Sequence, residues 1–332
     1  MNLLVTGSAG FIGSAFVRML LGKSERDMGY PTIGRGKIVS LDLLTYAACL
    51  DNLNPIKGDS RHSFVKGDIR DRKRVESLIK EHKIGAIINF AAESHVDRSI
   101  EGSEIFAQTN VLGTLNLLES AREHGLKFLQ VSTDEVYGTL GDSGSFTEST
   151  PIAPNSPYSA SKAAADCFVR AYVETHKLDA VITRCSNNYG PYQFPEKFLP
   201  LAITRLLGGG KIPIYGEGKN VRDWLHVEDH CEGIWLAFTK GQAGNVYNFG
   251  GFGERQNIDM ARALISLIGA DASGSLEFVP DRKGHDWRYS MDPAKVVSEL
   301  GWKARWELND GLVALVHWYQ NNRDWWEPKL NN

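Results

Sequence analysis

Leu3-Leu4-Val5-Thr6-Gly7-Ser8-Ala9-Gly10-Phe11-Ile12-Gly13 opens the chain. A short apolar run passes directly into a glycine-spaced turn, and residues 12–21 then carry apolar side chains at three-to-four spacing. Glycine permits the tight turn and lets backbone come against a pyrophosphate at a helix N-terminus. A glycine triplet alone is a weak signal. In this strand–turn–helix setting the G-x-x-G-x-x-G spacing predicts a dinucleotide site and a parallel α/β sheet.

The rest of the N-terminal half agrees with that start. Runs at 3–6, 38–42, 87–91, 128–132 and 180–184 read as buried strands, and a third strand is expected before Asp68. They alternate with helix-periodic stretches at 12–21, 72–82, 105–124 and 160–176. Such alternation predicts a Rossmann-type doubly wound parallel sheet over residues 1–185, with parts of 224–250 returning to it. Residues 186–332 read as a smaller mixed α/β lobe for substrate: all eight tryptophans lie from Trp224 onward, and 187–200 and 211–223 are rich in Gly, Pro and Asn. Helices are expected at 257–268, at 292–300 with Asp292 as N-cap and Pro293 at the first position, and at 312–320. Residues 24–36 read as a surface loop.

Composition narrows the function classes. With 37 basic and 40 acidic residues the net charge is −3, so no positive field draws in nucleic acid or an anionic membrane. Four dispersed cysteines form no C-x-x-C pair, which excludes a zinc ribbon or disulfide scaffold and suits a reducing compartment. No apolar run approaches 18 residues, and no basic segment precedes the first one. A cytoplasmic protein without metal is expected.

Asp42 ends the second strand, later after Gly13 than the usual ~20 residues because of the 24–36 insertion. An acid there accepts hydrogen bonds from the ribose hydroxyls and repels a 2′-phosphate, favouring NAD over NADP; a turn-forming Asp is the alternative. Asp68 and Ile69 are candidates for the adenine, with a simple turn as the other reading.

Tyr158-Ser159-Ala160-Ser161-Lys162 places a phenol and an ammonium on one helix face, about 6 Å apart along its axis. A Lys cation beside Tyr is expected to lower the phenol pKa and make it a base. Alone, this pair is commonly a solvated helix pair. Thr133-Asp134-Glu135 follows another strand, where open α/β sheets place ligands. Successive side chains diverge there, so one carboxyl can stay protonated and the other ionised, dividing acid from base. Two solvated loop acids are the alternative.

Together these motifs resemble the extended short-chain dehydrogenase/reductase family, and within it the nucleotide-sugar 4,6-dehydratases. The resemblance spans essentially the whole chain and rests on residues 41–47, 91–99 (Ala-Ala-Glu-Ser-His-Val-Asp-Arg-Ser), 132–138 (Ser-Thr-Asp-Glu-Val-Tyr-Gly), 185–192, 194–197, 222–224 and 281–286. It implies NAD as cofactor, dTDP-glucose as substrate, and a homodimer through a four-helix interface. Catalysis would use Thr133 on the C4 oxygen, Asp134 as acid, Glu135 as C5 base, and Tyr158 with Lys162 at C4. The cofactor would meet Gly7, Gly10, Phe11, Ile12 and Gly13, then Asp42, Leu44 and Thr45, then Asp68 and Ile69. Further cofactor contacts would come from Ala91, Ala92, Ser94, Thr109, Ser132, Tyr158 and Lys162. The substrate would meet Ser94, His95, Thr133, Glu196 and Asn257. Asn187, Arg222, Arg282 and His285 would hold its diphosphate, and Lys197, Phe198, Pro213 and Tyr215 would surround its base. Within the same superfamily a nucleotide-sugar 4-epimerase or a dehydratase of a UDP-sugar are rival readings, and an NAD-binding scaffold is a non-enzymatic one. The epimerase needs no Asp134–Glu135 pair, and the scaffold needs none of the four reacting groups.

Overall fold

The structure, a computed structural model, describes residues 1–281 and 284–330. Seven strands form one sheet: β1 (Asn2–Thr6), β2 (Ile38–Asp42), β3 (His62–Lys66), β4 (Ile84–Asn89), β5 (Lys127–Thr133), β6 (Ala180–Cys185) and β7 (Val246–Phe249). Their order is β7-β6-β5-β4-β1-β2-β3, and every neighbouring pair is parallel. The order reverses between β1 and β4, which opens a crevice at the carboxyl ends of the strands.

Both faces of the sheet are covered, which is why its strands read as continuous apolar runs. The pleat divides β1: Leu3 and Val5 enter one core cluster and Leu4 the other. The first cluster joins Phe16 and Leu20 of α1 (Phe11–Leu20) to Cys231 and Ile234 of a helix spanning Val227–Lys240. The second joins Leu78 of α2 (Arg72–Glu81) to Leu117 of α3 (104–124) and Val169 of α4 (Pro157–His176). A third cluster holds the C-terminal part: Tyr189, Ile214, Trp224 and Trp326 pack among helices Phe198–Leu207, Asn257–Ile268 and Leu308–Asn321.

Several boundaries differ from the sequence reading. β4 spans Ile84–Asn89 and stops before Ala91; at its end the Asn89 side chain ties Thr6 Oγ1 (2.5 Å) to Gln130 Oε1 (2.9 Å) across the strand ends. α4 begins at Pro157, three residues early, because Ser156 and Ser159 form a reciprocal cap. The 104–124 helix carries a π-helical turn at Ala107–Gly113, and Thr109 and Asn110 lie inside it. The helix expected from Asp292 starts at Ala294, with Pro293 as the cap, and Asp292 accepts the Ala294 N–H at 2.8 Å. The last long helix is Leu308–Asn321, longer than the 312–320 periodicity suggested. The 24–36 loop has no regular structure, but it is pinned: Glu228 Oε1 accepts the Glu25 N–H, and the Tyr30 hydroxyl donates to Asp229 at 3.2 Å.

Candidate active site

A cavity of about 500 Å³ lies at the switch point between β1 and β4. The loop after β1 forms one wall. Gly7 has φ +63°, and a Cβ there would stand 2.6 Å from the Ala91 nitrogen; a Cβ at Gly13 would stand 2.2 Å from the Gly7 carbonyl. Only glycine fits either position. Gly10 caps α1 in an extended conformation without a side-chain hydrogen bond, so the first N–H groups of α1 stand beside the cavity. Asp42 ends β2 against the same loop: Oδ2 accepts the Ala9 N–H (2.9 Å) and Oδ1 the Leu44 N–H (2.8 Å). Burial pushes its carboxyl up, opposed by those backbone donors. This combination fits a dinucleotide held by backbone and one ribose-facing acid.

Gly7, Gly10, Phe11, Ile12, Gly13, Asp42, Thr45, Asp68, Ile69, Ala91, Ala92, Ser94, Thr109 and Ser132 all line the cavity. Leu44 does not. Its φ of +59° directs it against the core beneath α1, and Leu43 takes the place expected for it. Asp68 is held by Arg70, whose Nη2 lies 2.6 Å away, so its carboxylate has a protein partner beside any ligand.

At the end of β5 the backbone leaves the strand for a 3₁₀ turn, Asp134–Tyr137, capped by Thr133. Thr133 Oγ1 accepts the Glu135 N–H (3.3 Å) and donates to Asp134 Oδ1 (3.1 Å). The two carboxyls therefore separate through a helical turn and not through the pleat of a strand. Asp134 is 3% exposed, and its Oδ2 accepts no hydrogen bond among the described residues. Burial, reinforced by the Glu135 charge, pushes the Asp134 carboxyl far above its usual range. Glu135 is half-buried on the cavity wall. The environments differ, as acid and base roles require.

Tyr158 and Lys162 project from α4 into the same cavity. The expected depression of the phenol pKa is not found: burial, with the Glu135 charge, holds the Tyr158 hydroxyl well above its usual range. Lys162 Nζ donates one hydrogen bond to the Val131 carbonyl at 2.7 Å, and burial lowers its own pKa. Asn110, in the π turn, locks this corner by bonding Glu93 N (2.8 Å), Glu93 O (3.0 Å) and Ser161 Oγ (2.8 Å).

The residues expected to meet substrate fall into two groups. Ser94, Thr133, Asn187, Glu196 and Lys197 line the cavity, with Lys197 Nζ 3.1 Å from the Ser94 carbonyl. His95 stands beside them, 3.5 Å from Glu196. Phe198, Pro213, Tyr215, Arg222, Asn257 and His285 lie in the C-terminal part and do not line the cavity. Tyr215 meets His285 edge to face at 6.1 Å, and His285 pairs with Asp281 at 2.7 Å. Phe198 packs on Trp224 at 6.3 Å, Pro213 precedes Tyr215 by two on the strand Ile212–Tyr215, and Asn257 begins its helix with its N–H on the Asn220 carbonyl. The Arg222 guanidinium stacks 4.4 Å from the Tyr289 ring and donates to the Asp286 carbonyl at 3.0 Å, while its charge reaches Asp134. Arg282 lies outside the described residues. Arg70, Cys185, Gln193 and Phe194 also line the cavity and were not anticipated; of these, Cys185 was legible as the last residue of a parallel strand.

The family model for GDP-mannose 4,6 dehydratase matches residues 4–315. A dTDP-glucose 4,6-dehydratase of Xanthomonas campestris pv. campestris is 49% identical over 347 residues, covering 99% of this chain and 95% of the relative. One from an Actinoplanes species is 50% identical, covering 98% of this chain and all of the relative. Among solved structures, DesIV, a dTDP-glucose 4,6-dehydratase of Streptomyces venezuelae with NAD bound, superposes with a TM-score of 0.94 at 51% identity, covering 99% of this chain and 100% of that one.

Proposed function

Because the chain belongs to the GDP-mannose 4,6 dehydratase family, alongside dTDP-glucose 4,6-dehydratases about half identical to it, we propose that it converts dTDP-glucose to dTDP-4-keto-6-deoxyglucose for deoxysugar biosynthesis. The observation that carries this reading is Asp134: a buried carboxyl with one oxygen unpaired among the described residues, facing the same cavity as Glu135 and Tyr158. Elimination of water needs an acid and a base on neighbouring carbons, and a 4-epimerase needs neither.

NAD, held at the glycine loop and Asp42, supplies hydride acceptance from C4 and its return to C6. The protein's residues handle the protons. Tyr158 takes the proton of the sugar 4-hydroxyl, Thr133 hydrogen-bonds the C4 oxygen, and Lys162 contributes the positive charge that a phenolate needs. The ketone acidifies C5, whose proton goes to Glu135. Asp134, kept protonated by burial, delivers its proton to the departing C6 hydroxyl. Asn187, Arg222, Arg282 and His285 hold the diphosphate, and Lys197, Phe198, Pro213 and Tyr215 the base.

Residues 1–185 with β7 serve the cofactor, and the remainder mainly serves the nucleotide sugar. The working form is a homodimer: α3 and α4 leave Ile105, Leu112 and Phe168 exposed at 40%, 57% and 37%, an apolar surface that pairing into four helices would cover. Among the described residues no helix is long and apolar enough to cross a membrane; the proposed location is the cytoplasm.

Incubation with dTDP-glucose should yield a product lighter by one water with no net consumption of NAD. UDP-glucose in parallel tests the choice of base. A product of unchanged mass would assign a 4-epimerase, and stoichiometric release of reduced cofactor a dehydrogenase.

A further inference from the structure

Behind the reacting residues, α4 and β6 bury an ion pair that the chemistry above leaves unused. Asp166 lies one helical turn beyond Lys162 and is 2% exposed. Its Oδ2 accepts from Arg184 Nε at 2.9 Å and from Ser132 Oγ at 3.0 Å, while Oδ1 accepts no hydrogen bond among the described residues. Arg184 is also buried, its guanidinium 4.8 Å from the Tyr137 ring. A buried ion pair is seldom more stabilising than an apolar pair of similar volume, so stability is a poor reason for one here.

The surroundings of Lys162 supply a better one. Burial opposes its charge, and Asp166 is the first group that favours it. β5 offers the Val131 carbonyl and the Ser132 hydroxyl, with no charge. Asp134 and Glu135 act on Tyr158 and Cys185. Two cations, Lys162 and Arg184, thus share this interior with one carboxylate.

We propose that Asp166 is a positioning residue for Lys162: its carboxylate ties Ser132 and Arg184 behind the end of β5 and keeps one negative charge within reach of the Lys162 ammonium. The inference deepens the dehydratase reading and rests on its Tyr158–Lys162 pair. Without Asp166, burial acts on the Lys162 charge with no carboxylate to offset it. Arginine does not release its proton in proteins, so Lys162 is the group that yields.

Competitive acetylation of the Lys162 amine in the full-length chain, read by peptide mass spectrometry across pH, reports its protonation without reference to turnover. Asp166→Asn should lower the titration midpoint by about one pH unit or more. Arg184→Gln, which leaves the carboxylate alone with the ammonium, should raise it. The alkaline limb of the dehydration rate in the holoenzyme should move the same way in each variant. A midpoint unchanged in both, or shifted in the same direction in both, overturns the proposal. If Asp166→Asn does not fold, Arg184→Gln decides alone, and the absence of an upward shift overturns it. Opposed shifts in a protein that dehydrates no nucleotide sugar would sink the functional reading and leave the Asp166–Lys162 coupling standing.

Discussion

The Trp325 indole donates to Asn52 Oδ1 at 3.0 Å, joining the last turns of the chain to the first α/β unit. Asn52, 1% exposed, passes the contact on: its Nδ2 donates to the Ala9 carbonyl at 2.8 Å inside the glycine loop. Trp325→Phe keeps an aromatic ring and removes the donor, leaving Asn52 Oδ1 buried. Unfolding in urea should show a loss of about 1–3 kcal/mol, and NAD should bind more weakly through the loosened loop. Unchanged stability would mean that packing alone holds this segment.

Asp42 holds the loop through the Ala9 and Leu44 N–H groups, and the proposed reading gives it the ribose as well. Asp42→Ala should weaken NAD binding by about 1–3 kcal/mol, the range for charge-assisted hydrogen bonds, and narrow the preference over NADP. Equilibrium titration with both cofactors checks it. If NAD affinity is untouched, the carboxylate serves only the Ala9 and Leu44 N–H groups.

Neighbouring residues should fail at different steps. Tyr158→Phe removes the proton acceptor for C4 oxidation, so no reduced cofactor should appear when substrate is mixed in a stopped-flow cell. Glu135→Gln should allow that step and slow water loss by about 10²–10⁴-fold, as loss of a general base does, with reduced cofactor accumulating transiently. Asp134→Asn should slow water loss less, where solvent can protonate the leaving hydroxyl. Wild-type dehydration by Glu135→Gln would place the C5 base elsewhere.

His230 supplies a pH dependence of stability. Its Nδ1 donates to Asn188 Oδ1 at 2.8 Å, and burial pushes its pKa down to about 3. Folded, it stays neutral; unfolded, it takes up a proton near pH 6.5. The folded pKa is the lower one, so its contribution is present above about pH 6.5 and lost as pH falls toward 3. Between pH 7 and 5 the unfolding free energy of the wild type should fall by about 2 kcal/mol more than that of His230→Gln. Parallel curves for the two proteins would show that His230 is protonated in the native state.

Much of the site was legible because local chemistry demands particular residues at particular spacings. Gly7 and Gly13 announce a backbone turn that no larger residue fits, and Tyr158 and Lys162 follow from helix geometry. The sheet strands and the longer helices of the first 185 residues were legible from periodicity, since the sheet is covered on both faces; the short helices Leu50–Ile56 and Val96–Glu101 were not. Boundaries were less so, because they depend on partners distant in sequence: β4 ends where Asn89 meets Thr6 and Gln130, and the π turn that carries Asn110 brings it to Glu93 and Ser161.

What the sequence by itself determined is the class of fold and the cofactor loop, and it is where the candidate reacting groups were read, because these rest on short-range spacing. What only the tertiary structure decided is their electrostatic state. No spacing shows that Asp134 is buried with one oxygen unpaired among the described residues, that Lys162 is turned onto Val131, or that Leu44 packs against the core while Leu43 faces the cavity. Burial and the charges brought from other strands set the protonation of each group, and both are sums over the whole packed interior.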